Sequence, residues 1–229
     1  MKKFATIMAV VLVSAFIGGV AFAAPASKFA AQVSSVALVD WTTATTGQDG
    51  YTRVLYTTIK TPNKKDLLVG ASFETGLYTK TLVKSSAGIL DTSTAVAGIK
   101  IKVSVDGVAV NPGEVIYDKR AQTLSAKLGG ILESCTDANG DGTIDILTEC
   151  TFSDEEIELI LDTMGAHHFN FVAANLEPGN HVVEVWAKIE TLTQAAAGLA
   201  DAKALVGKGS LTVEEVKATN TSDGIVFLE

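Results

Sequence analysis

Oxygen-bearing side chains alternate along one short segment of the sequence, between the chain's only two cysteines, Cys135 and Cys150. Counted from Asp137, Gly142 occupies the sixth place of this segment, where a sharp turn is needed. Calcium prefers about six to eight oxygen ligands, and side chains that alternate along a curling chain bring their oxygens together. The spacing therefore predicts a calcium site. Its expected ligands are Asp137, Asn139, Asp141, the Thr143 carbonyl, Asp145 and Glu149.

The segment resembles the calcium loop of EF-hand and dockerin proteins, in which the eighth place is apolar, as Ile144 is here. It departs from that pattern at the twelfth place, where the usual bidentate glutamate is Thr148, and Glu149 follows one residue late. Two alternative sources of this ligand are Glu133 and the carboxylates of residues 154–156. The competing interpretation is a turn of Asp, Asn and Gly residues that binds no ion.

The first residues have the pattern of an export signal. Lys2 and Lys3 precede an apolar run over residues 4–18, and small residues favour cleavage between Ala23 and Ala24. The alternative is an uncleaved anchor. No later stretch reaches the ~18 consecutive apolar residues of a membrane-spanning helix, so we expect no membrane span after cleavage. The predicted location is secreted, meaning the periplasm, the cell surface or the extracellular space.

Export also bears on the two cysteines and on the charge. An oxidising compartment predicts a Cys135–Cys150 disulfide, which closes 16 residues and should contribute roughly 3 kcal/mol. A cation bound within this loop would offset the repulsion among its aspartates, so the predicted role of calcium is structural.

The formal net charge is −8, and removing Lys2 and Lys3 makes it more negative. We therefore expect no binding to nucleic acid through its phosphates.

Most of the remaining sequence has the alternation typical of β-strands. Residues 51–60, 67–84 and 99–105 alternate apolar and polar side chains, and Asp106-Gly107 predicts a tight hairpin after the third run. After Cys150 the spacing changes. Ser153 and Glu156 have the spacing of a helix capping box, and apolar residues then recur at helical spacing up to Gly165. Those apolar residues are Ile157, Ile160, Leu161 and Met164.

These patterns predict a mostly β fold, a two-sheet β-sandwich of immunoglobulin-like or jelly-roll-like type. Residues 1–23 would be the signal peptide and residues 24–229 a single domain. The calcium loop and one short helix would be inserted at about residues 133–165. Residues 24–32 are predicted to be a flexible lead.

A second resemblance concerns the run Leu-x-Pro-Gly-x-His-x-Val-x-Val that begins at Leu176. It resembles the corner before the penultimate strand of fibronectin type III and other immunoglobulin-like sandwiches, where a tyrosine often stands in the place of His181. The resemblance covers about 20 residues. It implies an exported bacterial immunoglobulin-like sandwich and implies no particular activity.

No catalytic constellation is recognisable in the sequence. It lacks a Gly-x-Ser-x-Gly elbow, a glycine-rich phosphate loop and a His-Glu-x-x-His motif. His167 and His168 would face opposite sides of a strand and cannot easily share a metal with His181, so hydrogen-bonded histidines are expected instead. The prediction is a protein that is not an enzyme; a hydrolase would need two carboxylates at catalytic separation.

The predicted function is therefore a structural or adhesive one, with an unknown protein or glycan at the cell surface as partner. One alternative is a carbohydrate-binding module, which would need several aromatic rings on one exposed face. The candidate rings are Trp41, Tyr51, Tyr56, Tyr78 and Trp186. Another alternative is a subunit of a surface layer or filament, in which residues 24–32 would serve as a donor strand.

Overall fold

The computed structural model describes residues 28–34, 48–86 and 88–217. These residues form a short 3-10 turn at Gln48–Gly50 and eleven strands. The strands are β1 (Phe29–Val33), β2 (Thr52–Thr61), β3 (Lys65–Ser85), β4 (Leu90–Val105), β5 (Val108–Ala109), β6 (Val115–Lys127), β7 (Ile131–Cys135), β8 (Cys150–Ser153), β9 (Glu155–Leu176), β10 (Gly179–Ala195) and β11 (Leu199–Val216).

The strands form two packed antiparallel sheets and a separate hairpin. One sheet has the order β1-β11-β3-β9. The other has the order β2-β10-β4, with both β5 and β6 paired to β4. Among the described strands, β7 and β8 pair only with each other. The predicted mostly β, two-sheet sandwich is therefore confirmed, while its immunoglobulin-like or jelly-roll-like affiliation stays a prediction.

Alternation along the strands explains which side chains are buried between the sheets. In β3 every second residue from Leu67 to Ser85 faces the interior and is at most 4% exposed. In β10 the predicted inward row is confirmed, because His181, Val183, Val185 and Ala187 are all buried. A two-residue turn at Asp106-Gly107 joins β4 to β5 as expected, with positive φ at both residues.

The interior differs between the two ends of the sandwich. We call the half that contains β2, the start of β3 and the end of β9 the apolar end, because its interior consists mainly of aliphatic and aromatic side chains such as Ile59, Phe73 and Phe171. We call the half that contains the end of β3, the start of β4 and the start of β9 the polar end. Its buried residues include Thr75, Thr79, Thr81, Ser85, Asp91, Ser93 and Gln122.

The predicted helix after Cys150 is wrong. Residues 155–165 form the first half of β9, which pairs with β3 without interruption from Ser85↔Glu155 to Leu67↔Ala173. Ser153, the expected helix cap, ends β8, and Gly165, the expected helix end, lies inside β9 opposite Thr75. A strand of 21 residues offers a long pairing partner, and this tertiary pairing outweighs the local capping and spacing signals.

Other expectations are corrected or lie outside the described residues. Part of the predicted flexible lead, residues 24–32, is strand β1, which pairs with β11 in its own chain. The predicted signal peptide and Trp41 lie outside the described residues. Among the residues that are described, no helix has the length and apolar character to span a membrane.

Candidate metal site between the cysteines

The predicted disulfide is confirmed. Cys135 ends β7, Cys150 begins β8, and the two residues face each other in the hairpin with a Cα–Cα distance of 4.1 Å and an S–S distance of 2.03 Å. Just beyond the disulfide, the Thr136 N–H donates to the Glu149 carbonyl at 2.9 Å. The loop at residues 136–149 therefore begins and ends at one covalently closed base.

The Asp137 carboxylate organises the first half of this loop. Its Oδ1 accepts the N–H groups of Gly140 at 2.6 Å and Asp141 at 3.2 Å, and its Oδ2 accepts the N–H of Gly142 at 2.9 Å. Gly140 and Gly142 have φ values of 72° and 82°, which glycine adopts at little cost. The chain thus curls around the side chain at the first place of the predicted calcium loop.

The Glu149 carboxylate joins the two halves of the loop. Its Oε1 accepts the N–H groups of Ala138 and Asn139 at 3.1 and 3.3 Å, and its Oε2 accepts the N–H of Asp145 at 2.9 Å. These backbone hydrogen bonds, the one from Asp145 first, lower the pKa of Glu149 although some desolvation opposes them. Glu149 therefore points into the loop despite standing one place beyond the expected glutamate.

The other predicted ligands also bond within the loop. Asp141 accepts hydrogen bonds from the Thr143 hydroxyl, from the Thr143 N–H and from the Asn139 amide, and in that order they lower the pKa of Asp141. Asn139 Oδ1 accepts the Asp141 N–H at 2.9 Å, and Asp145 Oδ1 accepts the Leu147 N–H at 3.0 Å. The loop is shaped by its own side-chain oxygens.

The fit of this loop to calcium is partial. The donor set consists of carboxylate, amide and carbonyl oxygens, which are the ligands that calcium takes. In the described part of the chain, however, no three Asp, Glu, His or Cys side chains converge as a metal site requires. The carboxylates instead accept backbone N–H groups, although a carboxylate oxygen that accepts one hydrogen bond keeps a lone pair for a cation.

The two alternative ligand sources include residues that are engaged elsewhere. Glu155 Oε2 accepts the Gly130 N–H at 3.0 Å, and Glu156 pairs with Lys84 on β3 at 3.0 Å. Of the acidic residues considered for the last ligand, Glu149 is the one that bonds within the loop.

The loop has no apolar core of its own. Ile144, which occupies the apolar eighth place of the loop, is 52% exposed, and Leu147 is 90% exposed. Because burial supplies little stability here, the disulfide and the hydrogen bonds to Asp137 and Glu149 determine the conformation of the loop.

The three histidines bond separately, as the sequence suggested. His168 contacts Ser72 Oγ at 2.7 Å and Asn170 Oδ1 at 2.8 Å, while His167 lies 3.4 Å from Asp118 Oδ2.

His181 is buried and lies 2.7 Å from Asp106 and 2.8 Å from the Glu177 carbonyl. The bond to Glu177, four residues upstream, is similar to the one that the tyrosine makes in an immunoglobulin-like corner.

Of the candidate sugar-binding rings in the described residues, only Tyr56 is more than half exposed. Tyr51 is only 3% exposed, with Lys102 Nζ 4.2 Å from its ring centroid. Trp186 donates to Ser104 Oγ at 3.0 Å, and Tyr56 is exposed next to Arg53. Tyr78 belongs to the other sheet, on β3.

Sequence reasoning missed a row of polar side chains on β6. Asp118, Arg120 and Gln122 alternate along the strand and bond to β3 and β9 across the sandwich. Thr75 Oγ1 donates to Asp118 at 2.7 Å, and Arg120 donates to the Leu161 carbonyl at 3.0 Å. Their spacing of two was a readable signal for a shared face, but their polarity suggested the solvent side.

Tyr117, the residue before Asp118 on β6, was missed as well. Its hydroxyl accepts the Phe73 N–H at 2.9 Å and donates to the His167 carbonyl, so it joins β3 to β9. Burial raises the pKa of Tyr117 to about 12, which keeps this hydroxyl protonated and able to donate.

Asp91 was the third feature missed. This buried residue lies near the start of β4, and its carboxylate accepts the N–H groups of Lys84, Ala197 and Thr92. The backbone bonds from Lys84 and then Ala197 are the main causes that lower the pKa of Asp91. A lone aspartate at the start of a strand gives no sequence signal for such a role.

The fold and the loop together define a class of protein, a disulfide-bonded antiparallel β-sandwich. No protein-family model and no curated protein matches the chain. One solved structure found by comparison is described as the structure of the infectious bursal disease virus Gx strain. It is 9% identical, with a TM-score of 0.14, and the match covers 83% of this chain and 40% of the viral chain. A TM-score this low gives no evidence of a shared fold.

Proposed function

We propose that this protein is an exported, non-catalytic β-sandwich whose disulfide-bracketed loop binds calcium, with a structural or adhesive role at the cell surface or outside the cell. The observation that carries the proposal is the hydrogen bonding of Asp137 and Glu149. The two carboxylates curl residues 137–149 around themselves, so that the six predicted ligands lie on one closed loop.

The role of calcium in this proposal is to stabilise the loop. Its carboxylates lie on a short exposed segment, where they repel one another, and a divalent cation would offset that repulsion. Binding would involve Asp137, Asn139, Asp141, the Thr143 carbonyl, Asp145 and Glu149. The disulfide holds both ends of the loop and limits opening, which favours a structural ion over a switch.

The non-catalytic part of the proposal is supported by how charged side chains are used on the sheet faces. Lys100 bonds to both Glu114 and Glu190, and Arg53 bonds to Glu184. Lys80 pairs with Glu158, and Lys84 pairs with Glu156. Each of these carboxylates is held in an ion pair, whereas a hydrolase leaves two carboxylates free for its substrate.

Export is supported by the disulfide, which persists in an oxidising compartment, and by the signal pattern of residues 1–23. Because an exported chain meets abundant calcium, even a weak site of the extracellular type would be filled.

The decisive experiment is thermal unfolding in calcium, in a chelator and in magnesium. Calcium at tenfold over its dissociation constant should stabilise the chain by about 1.4 kcal/mol, because it binds only the folded loop. The substitution Asp137→Asn should remove this increment, since the amide keeps the size of the side chain and loses its charge. Asp201→Asn, which changes a half-exposed aspartate of β11 that pairs with Lys203 far from the loop in sequence, is the matched control and should retain the increment.

A reductant arm separates the two constraints on the loop. Reduction should lower the stability by roughly 3 kcal/mol and should also weaken the calcium response, because the base of the loop opens. If the wild-type chain melts identically in calcium and in chelator, the loop does not bind calcium and this part of the proposal is wrong.

A further inference from the structure

Strand β9 is an edge of its sheet, and most of that edge has no partner among the described residues. Val172 bonds Asn111 through both its N–H and its C=O, so its backbone groups face away from β3. Backbone groups alternate in direction along a strand, and the register with β3 is unbroken from Ala173 to Glu155. Every second residue from Glu156 to Asn170 therefore faces the open edge. In the part of the chain that the structure describes, these groups have no hydrogen-bond partner.

The same stretch exposes apolar side chains on both faces. A long edge with this composition is a template for pairing with another strand. The apolar residues and their exposed fractions are Ile157 43%, Leu159 40%, Ile160 47%, Leu161 41% and Met164 65%.

We propose that this edge pairs with the same edge of a second copy of the chain, antiparallel, about a two-fold axis at Leu161. In this register Leu161 faces Leu161 of the second copy, Leu159 faces Thr163, and Ile157 faces Gly165. On the opposite face, Ile160 lies across from Asp162 and Glu158 from Met164. The two four-stranded sheets become one continuous sheet across the interface.

Repulsion between carboxylates disfavours the two neighbouring registers relative to the proposed one. A two-residue shift in one direction would place Glu158 opposite Asp162, and a two-residue shift in the other would place Asp162 opposite itself. Like charges directly opposite each other destabilise a strand pair. The proposed register opposes no two carboxylates, and it brings Glu155 across from His167.

The partner is a second copy because the pairing is self-complementary and closes on itself. A two-fold interface uses the same surface on both molecules, so the β9 edge of each copy is fully used by one partner. Glu156 and Glu158 are already neutralised by Lys84 and Lys80 within each chain, so two copies can approach without those charges repelling. A strand from an unrelated protein would have to present the same alternation of apolar and polar side chains.

The inference names a partner for the non-catalytic interaction role proposed above and to that extent rests on it. It does not depend on calcium, because β9 pairs with β3 and not with the loop. A chain that melts identically with and without calcium but still dimerises would refute only the calcium site. A chain that responds to calcium but stays monomeric would refute only the interface.

Disulfide trapping tests the register in the chain as purified from its host. Leu161 lies in a non-hydrogen-bonded pair, where Cα atoms are about 4.5 Å apart, a separation that a disulfide can bridge. Leu161→Cys should therefore give a covalent dimer under mild oxidation. Leu159→Cys is the matched control, because it has the same side chain, face and exposure, but its two copies would lie about 14 Å apart.

The expected result is covalent dimer forming at least about tenfold faster for Leu161→Cys than for Leu159→Cys, because the interface fixes the two thiols close together. Peptide mapping without reduction checks that Cys135–Cys150 is intact. Equal rates for the two variants, or no dimer from either, would refute the register.

Light scattering tests the pairing without a crosslink. The wild-type chain should show twice the monomer mass at high concentration. Ile160→Pro should be monomeric and folded, because the N–H that proline removes faces the open edge and not β3. Circular dichroism confirms that this variant is folded. A wild-type chain that is monomeric at every concentration, or an Ile160→Pro variant that is folded and still dimeric, would overturn the proposal.

Discussion

The two ends of the sandwich use the same strands but different chemistry between the sheets. At the apolar end, most of the buried side chains of β3, β4 and β10 are aliphatic or aromatic, and non-directional burial stabilises the packing. At the polar end, threonines of β3 bond to side chains of β6. Thr79 donates to Gln122 at 2.9 Å, and Gln122 donates to Thr81 at 2.6 Å.

The difference has a consequence for β9, which runs through both ends. Its apolar-end residues Phe171 and Ala173 are buried, whereas its polar-end residues Ile157, Leu159 and Leu161 are 40–43% exposed. Side chains of β6 reach the β9 backbone directly, so the interior at this end closes through hydrogen bonds and leaves the apolar side chains of β9 partly uncovered. The apolar-end half of β9 therefore stabilises the sandwich, and its polar-end half is available for a partner.

The largest expected effect compares one truncation at each end. Phe171→Ala should lower the free energy of unfolding by about 3–5 kcal/mol, because the ring is fully buried and leaves a cavity. Leu159→Ala should cost about 1 kcal/mol or less, because its side chain is 40% exposed. Urea denaturation of both variants, at a concentration where the chain is monomeric, measures the difference. Equal losses would show that the two ends do not differ in burial energetics.

A smaller effect tests whether hydrogen bonds stabilise the polar end. Gln122→Leu should destabilise the chain by about 1–3 kcal/mol, because it leaves the buried hydroxyls of Thr79 and Thr81 without partners. Adding Thr79→Val and Thr81→Val should recover most of this loss, since an apolar replacement of the whole group is nearly neutral. Urea denaturation of the single and triple variants measures both steps. A triple variant less stable than Gln122→Leu alone would contradict this account.

The apolar end was largely predictable from the sequence. Residues 67–84 and 99–105 alternate with the period of a strand, and the run from His181 to Ala187 places every second residue inside. Hydrophobic alternation is a local signal, and at this end the local signal and the tertiary packing agree. The Asp106-Gly107 turn was predictable for the same reason, because its residue types suit positive φ.

The polar end was not predictable in the same way. Threonines at 75, 79 and 81 do not reveal that they face the interior, because their partners lie on β6, about 43 residues later along the chain. The half-exposed stretch from Ile157 to Met164 places apolar residues on both faces of a strand, and that arrangement also satisfies helical spacing. The choice between strand and helix depends on the length of β3, a pairing partner that lies far away in the sequence.

The candidate site falls between these cases. The disulfide followed from the presence of two cysteines and an export signal, and it is confirmed. The expected calcium ligands were named from their spacing and stay a prediction, and the structure shows Asp137 and Glu149 turned into the loop. The direction of each carboxylate was beyond the sequence, because it depends on which backbone N–H groups the curled chain presents.

The smallest expected effect concerns a polar contact at the far limit of the apolar end. Asp106 accepts the N–H of Val182 at 2.8 Å and lies 2.7 Å from the ring of His181, whose other nitrogen faces the Glu177 carbonyl. Burial of Asp106 opposes its ionisation, but the bonds from His181 and Val182 prevail and lower the pKa of this carboxyl.

A lowered pKa in the folded state means that Asp106 adds stability at pH values above its unfolded pKa, and that this contribution disappears as the pH falls through the folded value. Asp106→Asn should therefore cost under ~1 kcal/mol at neutral pH, since the carboxylate is 47% exposed. The difference from wild type should shrink below about pH 4. Urea denaturation across the acid range measures it. A difference that is constant with pH would mean that the aspartate acts by the shape of its turn rather than by its charge.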